Sequence, residues 1–107
     1  MIWLGRWPRL KLGIRAHPHH ERNKYGTRGL ARDLGPRGIT VNTVQPGPVD
    51  TDANPADGPF AEMLKGYLAL KRYANADEIA GIVAYLASSE AGFVTGASLT
   101  IDGGFAA

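Results

Sequence analysis

The stretch from Gly38 to Thr51 constrains the fold of this chain more than any other part of it. Residues 39–44 are rich in β-branched side chains, which favour a strand. Pro46-Gly47-Pro48 follows directly and prevents that strand from continuing. In an open α/β sheet, ligands bind beyond the carboxyl ends of the strands. The sequence therefore predicts a strand that ends in a rigid loop, with Thr51, preceded by Val49, as the first candidate for a binding residue.

Helix and strand patterns lie on both sides of this loop. Asn75, with Glu78 three residues later, is typical of a helix N-terminus, and the apolar residues that follow have helical spacing. A second apolar set between Phe60 and Leu68 is also helical, and it predicts either an ordinary amphipathic surface helix or a mobile lid. The remaining predictions are a helix over 27–34 that ends at Gly35-Pro36 and an alternating strand over 97–102.

The length and composition are those of one small globular domain. The chain has 107 residues, of which 44% are hydrophobic and 21% are charged, and these fractions are ordinary for a globular protein. It contains no cysteine, which excludes disulfides and thiolate chemistry. No apolar run approaches the roughly 20 residues of a membrane-spanning helix, and the first residues lack a secretory pattern. A cytoplasmic protein without a membrane partner is the default expectation.

The net charge of +2 hides a strong asymmetry along the chain. Residues 1–37 carry nine basic and two acidic side chains, whereas residues 38–107 carry three basic and eight acidic ones. We expect residues 1–26 to form an irregular basic segment, because neither a helical nor an alternating period is sustained there. Its tryptophans and arginines could bind nucleic acid or a membrane interface. We favour instead the interpretation that residues 1–26 are translated from another reading frame of a GC-rich gene.

The rest of the chain resembles a known family in the order and spacing of its motifs. The residues concerned are Thr27 to Asn42, Pro46-Gly47-Pro48-Val49-Asp50-Thr51, Asp77-Glu78-Ile79-Ala80, Tyr85-Leu86-Ala87-Ser88 and Val94 to Gly104. They closely resemble the C-terminal half of the classical short-chain dehydrogenases/reductases, in particular the 3-oxoacyl-ACP-reductase type. The resemblance implies an α/β fold, here the C-terminal fragment of a Rossmann-like doubly wound parallel sheet. It divides the chain into residues 1–26, which do not match, and a family-like part, 27–107.

The same resemblance implies a cofactor, a substrate class and a partner. The cofactor would be NAD or NADP, and Pro46, Gly47, Val49 and Thr51 are the residues expected to bind it. In the family, the backbone near Val49 meets the nicotinamide carboxamide, and the Thr51 hydroxyl bonds the carboxamide or a phosphate. The substrate would be a small-molecule carbonyl or alcohol. The last strand of the family lies against another subunit, so an oligomer is expected, either of identical chains or with a full-length relative.

The catalytic residues of the family do not appear in this sequence. Counted back from Thr27, the catalytic tyrosine would fall near position 16 and the lysine four residues later, but these positions hold Ala16 and His20. The glycine-rich cofactor turn also has no counterpart. In the family, the tyrosine hydroxyl protonates the substrate carbonyl oxygen, and the lysine lowers the pKa of that hydroxyl. We therefore expect a truncated oxidoreductase without catalytic residues of its own, or else a non-catalytic partner of a full-length relative.

Two further residue groups have ordinary structural interpretations. His17, His19 and His20 with Glu21 could in principle ligate a metal, but Pro18 disturbs the helical spacing that such a site would need. We favour a solvated loop and predict no metal site. Asn42 lies in the middle of the predicted strand, and we expect its role to be structural.

Overall fold

The computed structural model describes residues 2–6, 13–15 and 26–107. Within these residues, the helices are α1 (Thr27–Leu34), α2 (Ala61–Tyr67) and α3 (Ala76–Ala87), and the strands are β1 (Ile2–Arg6), β2 (Gly13–Arg15), β3 (Ile39–Pro46) and β4 (Ser98–Ile101). The chain forms two compact units. The first unit comprises Met1–Val44 and Val83–Leu99, and the second unit comprises Gln45–Ile82 and Thr100–Ala107. None of the helices in the described ranges is long and apolar enough to cross a membrane.

The four strands form one sheet in the order β2-β1-β3-β4. The Thr43 amide donates to the Ala97 carbonyl at 2.9 Å, and the Gly47 amide donates to the Ile101 carbonyl at 3.0 Å. Both bonds advance by four residues in the same direction, so β3 and β4 are parallel. The α/β class and the parallel pairing predicted from the sequence are thereby confirmed.

The other edge of β3 carries a strand that the sequence did not predict. β1 pairs with β3 in the antiparallel sense, from Ile2 opposite Thr43 to Arg6 opposite Ile39, and β2 pairs antiparallel with β1. The expectation of an irregular segment over 1–26 is therefore wrong for these two strands, and residues 1, 7–12 and 16–25 lie outside the described ranges. The physical reason is that an unpaired strand edge presents a row of donors and acceptors that accepts another strand.

The core of the first unit lies between α1 and β3. Ala31 on the helix and Val41 on the strand are buried, and Leu30, Leu34 and Ile39 pack against them. Leu30, Ala31 and Leu34 lie on one face of α1, and this helix has the bounds 27–34 that the sequence predicted.

Asn42 is the buried polar residue of this unit, with 1% of its surface exposed. Its Nδ2 donates to the Val94 carbonyl at 3.0 Å, and its Oδ1 accepts the Ala97 amide at 3.2 Å. The backbone of Val41 is bonded to the same loop, because its amide donates to Thr95 Oγ1 and its carbonyl accepts the Gly96 amide. Asn42 therefore has the structural role that we expected, and it holds the loop before β4 against β3.

The core of the second unit is formed by one face of α2 and the segment that follows it. Ala61, Leu68 and Tyr73 are buried, and Ala56 and Leu64 pack against them. The neighbouring face at α2 is apolar and open, since Phe60, which precedes the helix, and Met63 and Tyr67 on it are 67%, 57% and 65% exposed. The helix predicted between Phe60 and Leu68 is thus confirmed, whereas its interpretation as a lid stays a prediction.

Candidate functional site

The loop that leaves β3, residues 46–51, is the candidate site, and we call it the exit loop. Its first part is fixed against the end of β4. The Gly47 amide donates to the Ile101 carbonyl, and a Cβ atom at Gly47 would lie 2.7 Å from Cα and 2.9 Å from the carbonyl oxygen of Asp102. Only glycine permits so close an approach of two backbones. Pro46 and Pro48 on either side have no amide proton and a fixed φ, so they stiffen the loop.

The backbone of Ala74 pairs with the exit loop on both sides of Val49. The Ala74 amide donates to the Pro48 carbonyl at 3.0 Å, and the Asp50 amide donates to the Ala74 carbonyl at 2.8 Å. In such a parallel bridge, the N–H and C=O of the central residue point away from the partner. Within the described part of the chain, neither group of Val49 has a hydrogen-bond partner. Half-buried Val49 therefore presents one free donor and one free acceptor.

Thr51 lies at the exposed end of the exit loop, in a turn that it closes itself. Its carbonyl and its Oγ1 both accept the Asn54 amide, each at 3.1 Å, and its amide donates to the Asn54 carbonyl at 3.3 Å. The carboxylate of Asp50 secures the next residues by accepting the Ala56 amide at 2.8 Å. Because the Thr51 hydroxyl acts here as an acceptor, its proton remains available for a ligand.

Ala74 belongs to a short irregular segment, residues 72–75, that we call the strap. Glu78, in the first turn of α3, bonds to both of its ends. Its two carboxylate oxygens accept Arg72 Nη1 and Nη2 at 2.7 and 2.9 Å, and Oε1 also accepts the Asn75 amide at 3.1 Å. In return, Asn75 Oδ1 accepts the Glu78 amide at 2.9 Å. The capping pattern of Asn75 and Glu78 predicted from the sequence is confirmed, and the ion pair with Arg72 adds to it.

These bonds set the protonation behaviour of Glu78. The hydrogen bonds from Arg72 and then from the Asn75 amide lower the pKa of the Glu78 carboxyl from its ordinary 4.5 to about 2. A lowered pKa in the folded state means that the carboxylate contributes to stability above pH 4.5 and loses that contribution as the pH falls towards 2.

We therefore expect the stability difference between the wild type and Glu78→Gln to depend on pH in this interval. The wild type should be the more stable protein at neutral pH, and the difference should shrink steadily below pH 4.5. Thermal unfolding of both proteins at a series of pH values measures it. A difference that stays constant down to pH 2 would contradict the assignment of this pKa to the bonds with the strap.

A shallow cavity of about 80 Å³ lies between the exit loop, the strap and the end of β4. It is far smaller than the roughly 300 Å³ at which small-molecule sites begin. A cavity of this size cannot by itself enclose a dinucleotide cofactor. The lining residues are Pro48, Leu70, Arg72, Ala74, Glu78, Ile101, Asp102 and Gly103.

Asp102 is a residue of this region that sequence reasoning missed. Its Oδ1 accepts the Gly104 amide at 2.9 Å and its Oδ2 accepts the Ala106 amide at 3.0 Å, which fixes the turn after β4. Both Gly103 and Gly104 have positive φ, as this turn requires. The signal was present as Asp-Gly-Gly directly after a strand, a pattern typical of a side chain that caps its own turn.

The structure brings four predicted residues, Pro46, Gly47, Val49 and Thr51, together on the exit loop. Ala16 and His20, which occupy the expected catalytic positions, and the histidines considered as metal ligands lie outside the described residues. Among the residues that are described, no three metal-ligating side chains lie together.

A parallel β-strand pair with a loop at its carboxyl end, combined with helices, is typical of a Rossmann-like α/β protein. A family profile described as enoyl-(acyl carrier protein) reductase matches residues 24–106. The chain belongs to the short-chain dehydrogenase/reductase family.

Individual relatives agree with this assignment. Over 80 residues, the chain is 65% identical to the cyclic-di-GMP-binding biofilm dispersal mediator protein of Escherichia coli strain K12, covering 75% of this chain and 34% of that protein. A short-chain dehydrogenase/reductase of Serratia marcescens has a similar structure, with a TM-score of 0.74, 65% identity and coverage of 76% and 33% of the two chains. The chain thus spans about a third of the length of the relatives that it matches.

A third relative was solved with a cofactor. The short-chain dehydrogenase of Burkholderia cenocepacia J2315 in complex with NADP is 53% identical, with a TM-score of 0.73 and coverage of 76% of this chain and 33% of that one. Similar structures were solved in complex with NADPH or NADP, which supports NAD or NADP as the cofactor type of the family to which the chain belongs.

Proposed function

We propose that the exit loop contacts the nicotinamide of NAD(P) in an oxidoreductase that interconverts a hydroxyl and a carbonyl group. The free N–H and C=O of Val49 carry this proposal. A carboxamide has one acceptor oxygen and one donor NH₂, so it matches that pair of backbone groups. The hydride itself would be supplied or taken up by the cofactor, while the loop would fix the orientation of its nicotinamide ring.

The other three predicted site residues on the loop have distinct proposed roles. Thr51 would donate its hydroxyl proton to the carboxamide or to a phosphate, since its oxygen already accepts the Asn54 amide. Pro46 and Gly47 would not donate to the cofactor but would set the distance of the loop from β4. A loop pre-organised in this way loses little entropy when the ligand binds.

We further propose that the family domain is the part 27–107 and corresponds to the C-terminal part of a longer enzyme, cytoplasmic in location. The positions where the family pattern places tyrosine and lysine hold Ala16 and His20. The methyl group of Ala16 and the imidazole of His20 cannot replace the tyrosine and lysine of the family. In the family, the proton donor to the substrate oxygen is a tyrosine hydroxyl whose pKa is lowered. The 107 residues by themselves would then lack catalytic activity.

We expect the purified 107-residue chain to show no NADPH-dependent reduction of small carbonyl compounds. A chimera in which residues 27–107 replace the matching part of the Serratia marcescens relative should be active, because it regains the remaining elements of the site. NADPH consumption, followed by absorbance, measures both. Turnover that scales with the concentration of the isolated chain would contradict the proposed inactivity, and a folded but inactive chimera would contradict the role of the loop.

A second candidate function is that of a non-catalytic partner in an oligomer, either with identical chains or with a full-length relative. Large exposed apolar side chains favour it, since a solvated monomer rarely exposes a contiguous apolar surface. In the second unit, these are Phe60, Met63, Tyr67, Leu70 and Phe105, each more than half exposed. Co-purification of the chain with a tagged full-length relative would support this function. A chain that stays a monodisperse monomer and does not bind the relative would contradict it.

A further inference from the structure

Ala74 determines where the centre of the exit loop lies. Its amide and its carbonyl bond to Pro48 and Asp50, the two neighbours of Val49, at 3.0 and 2.8 Å. Both bonds come from one residue, so any displacement of Ala74 shifts both neighbours of Val49 together. The direction of the free Val49 groups thus depends on the position of a residue that is remote in sequence.

Ala74 itself lies in a segment without regular structure, between α2 and α3. Glu78 bonds to the residues on both sides of it: to Arg72 through two charge-assisted hydrogen bonds and to the amide of Asn75 through a third. Arg72 Nη1 also donates to the Tyr73 carbonyl at 3.1 Å. One carboxylate thereby connects both ends of the strap to the first turn of α3.

We propose that Glu78 is a positioning residue for the exit loop, acting through the strap and Ala74 on the backbone of Val49. The inference deepens the proposed function and rests on it in one respect, namely that Val49 faces the nicotinamide. Glu78 does not touch the cofactor in this arrangement. Its effect reaches the site through the two backbone bonds of Ala74, and the paired planar geometry with Arg72 makes that connection directional.

The alternative is that Glu78 only caps α3. A capping residue stabilises the start of its helix by bonding to the free amides there. Its removal would then weaken α3 or the whole unit without a selective effect on the exit loop. The two roles differ in which amides become exposed to solvent exchange when the carboxylate is removed.

The test is amide hydrogen exchange of the 107-residue chain, measured residue by residue by NMR, without cofactor. Three variants are compared with the wild type. Glu78→Ala removes all acceptors, Glu78→Gln retains a neutral one, and Glu62→Ala is the matched control. Glu62 also lies in the first turn of a helix in the same unit and forms an ion pair with Lys65 at 3.1 Å, but it bonds to none of the strap residues 72–75 in the described part of the chain.

Glu78→Ala should accelerate exchange of the Asp50 and Ala74 amides about fivefold, the effect of losing an exposed ion pair together with a capping bond. The Leu64 amide, which bonds to the Phe60 carbonyl in α2, should not change. Glu78→Gln should recover part of the protection, and Glu62→Ala should leave both loop amides as in the wild type. Equal acceleration at Leu64, or none at Asp50 and Ala74, would overturn the proposal.

A separate titration keeps this inference distinct from the proposed function. NADPH added to the chimera with the Serratia marcescens relative should shift the Val49 amide resonance, whereas ADP, which has no nicotinamide, should not. A missing shift would contradict the contact between Val49 and the nicotinamide. The exchange result does not depend on it, because that experiment contains no cofactor and reports only whether Glu78 positions the loop.

Discussion

Replacing Gly47 by alanine should lower the free energy of unfolding by about 3 kcal/mol, the upper end of the usual cost of overpacking. The new Cβ would lie 2.7 Å from Asp102 Cα and 2.9 Å from its carbonyl oxygen. Both atoms belong to the backbone, so no side-chain rotation can relieve the clash. The exit loop would have to move away from β4 and lose the bond between the Gly47 amide and the Ile101 carbonyl.

Gly81→Ala is the matched control for this substitution. Gly81 lies inside α3, and a Cβ added there would have no atom within 4 Å apart from its chain neighbours and the nearby backbone of the helix itself. Alanine in a helix interior is favoured over glycine by about 1 kcal/mol, so this variant should be more stable than the wild type. Denaturant unfolding of both proteins should show a decrease in the free energy of unfolding for Gly47→Ala and an increase for Gly81→Ala. A Gly47→Ala protein as stable as the wild type would mean that the loop does not approach β4 this closely.

Local signals in the sequence predicted most of the regular structure of residues 26–107. The apolar face of α1, the β-branched run of β3 and the reciprocal cap of α3 depend on residues at most four positions apart. Glu78 bonds to the Asn75 amide as the spacing of these two residues indicated. Elements of this kind can be recognised without knowledge of their neighbours.

The features that escaped prediction depend on partners that are distant in sequence. The pairing of β1 with β3 joins Ile2 to Thr43, and nothing in the composition of residues 2–6 identifies that partner. The bond between Arg72 and Glu78 requires the strap to fold back on the first turn of α3. No period of a helix or strand brings residues six apart into contact in this way.

In the candidate site too, the local features could be predicted from the sequence, whereas the contacts between distant residues could not. The rigid loop after β3 could be placed from its prolines, and Thr51 and Val49 were singled out on it. The free donor and acceptor of Val49 could not be predicted, because they depend on which segment bonds to Pro48 and Asp50. The residue that bonds to both is Ala74, which lies more than twenty positions after Asp50. The role of these groups towards a cofactor stays a prediction of the proposed function.

Asn42→Asp should cost about 3 kcal/mol at neutral pH, as expected when a buried polar group loses its partner and gains a charge. The side chain keeps its volume but exchanges the Nδ2 donor for an oxygen. That oxygen would face the Val94 carbonyl, which now lies 3.0 Å from the amide nitrogen. The ionised form would be repelled by this carbonyl and deprived of water, since Asn42 is 1% exposed. Only a protonated carboxyl could restore the hydrogen bond.

The pH dependence of the Asn42→Asp protein identifies the cause of its instability. Burial and the facing carbonyl raise the pKa of the new carboxyl in the folded state, so the deficit should be smallest below the ordinary aspartate value of about 3.9 and should grow as the pH rises above it. Denaturant unfolding at several pH values, with Asn54→Asp as the control, measures this. Asn54 is exposed, so the same substitution there should change stability by no more than about 0.5 kcal/mol at any pH. A deficit for Asn42→Asp that does not vary with pH would contradict this cause, because a buried carboxyl that ionises must make the stability difference depend on pH.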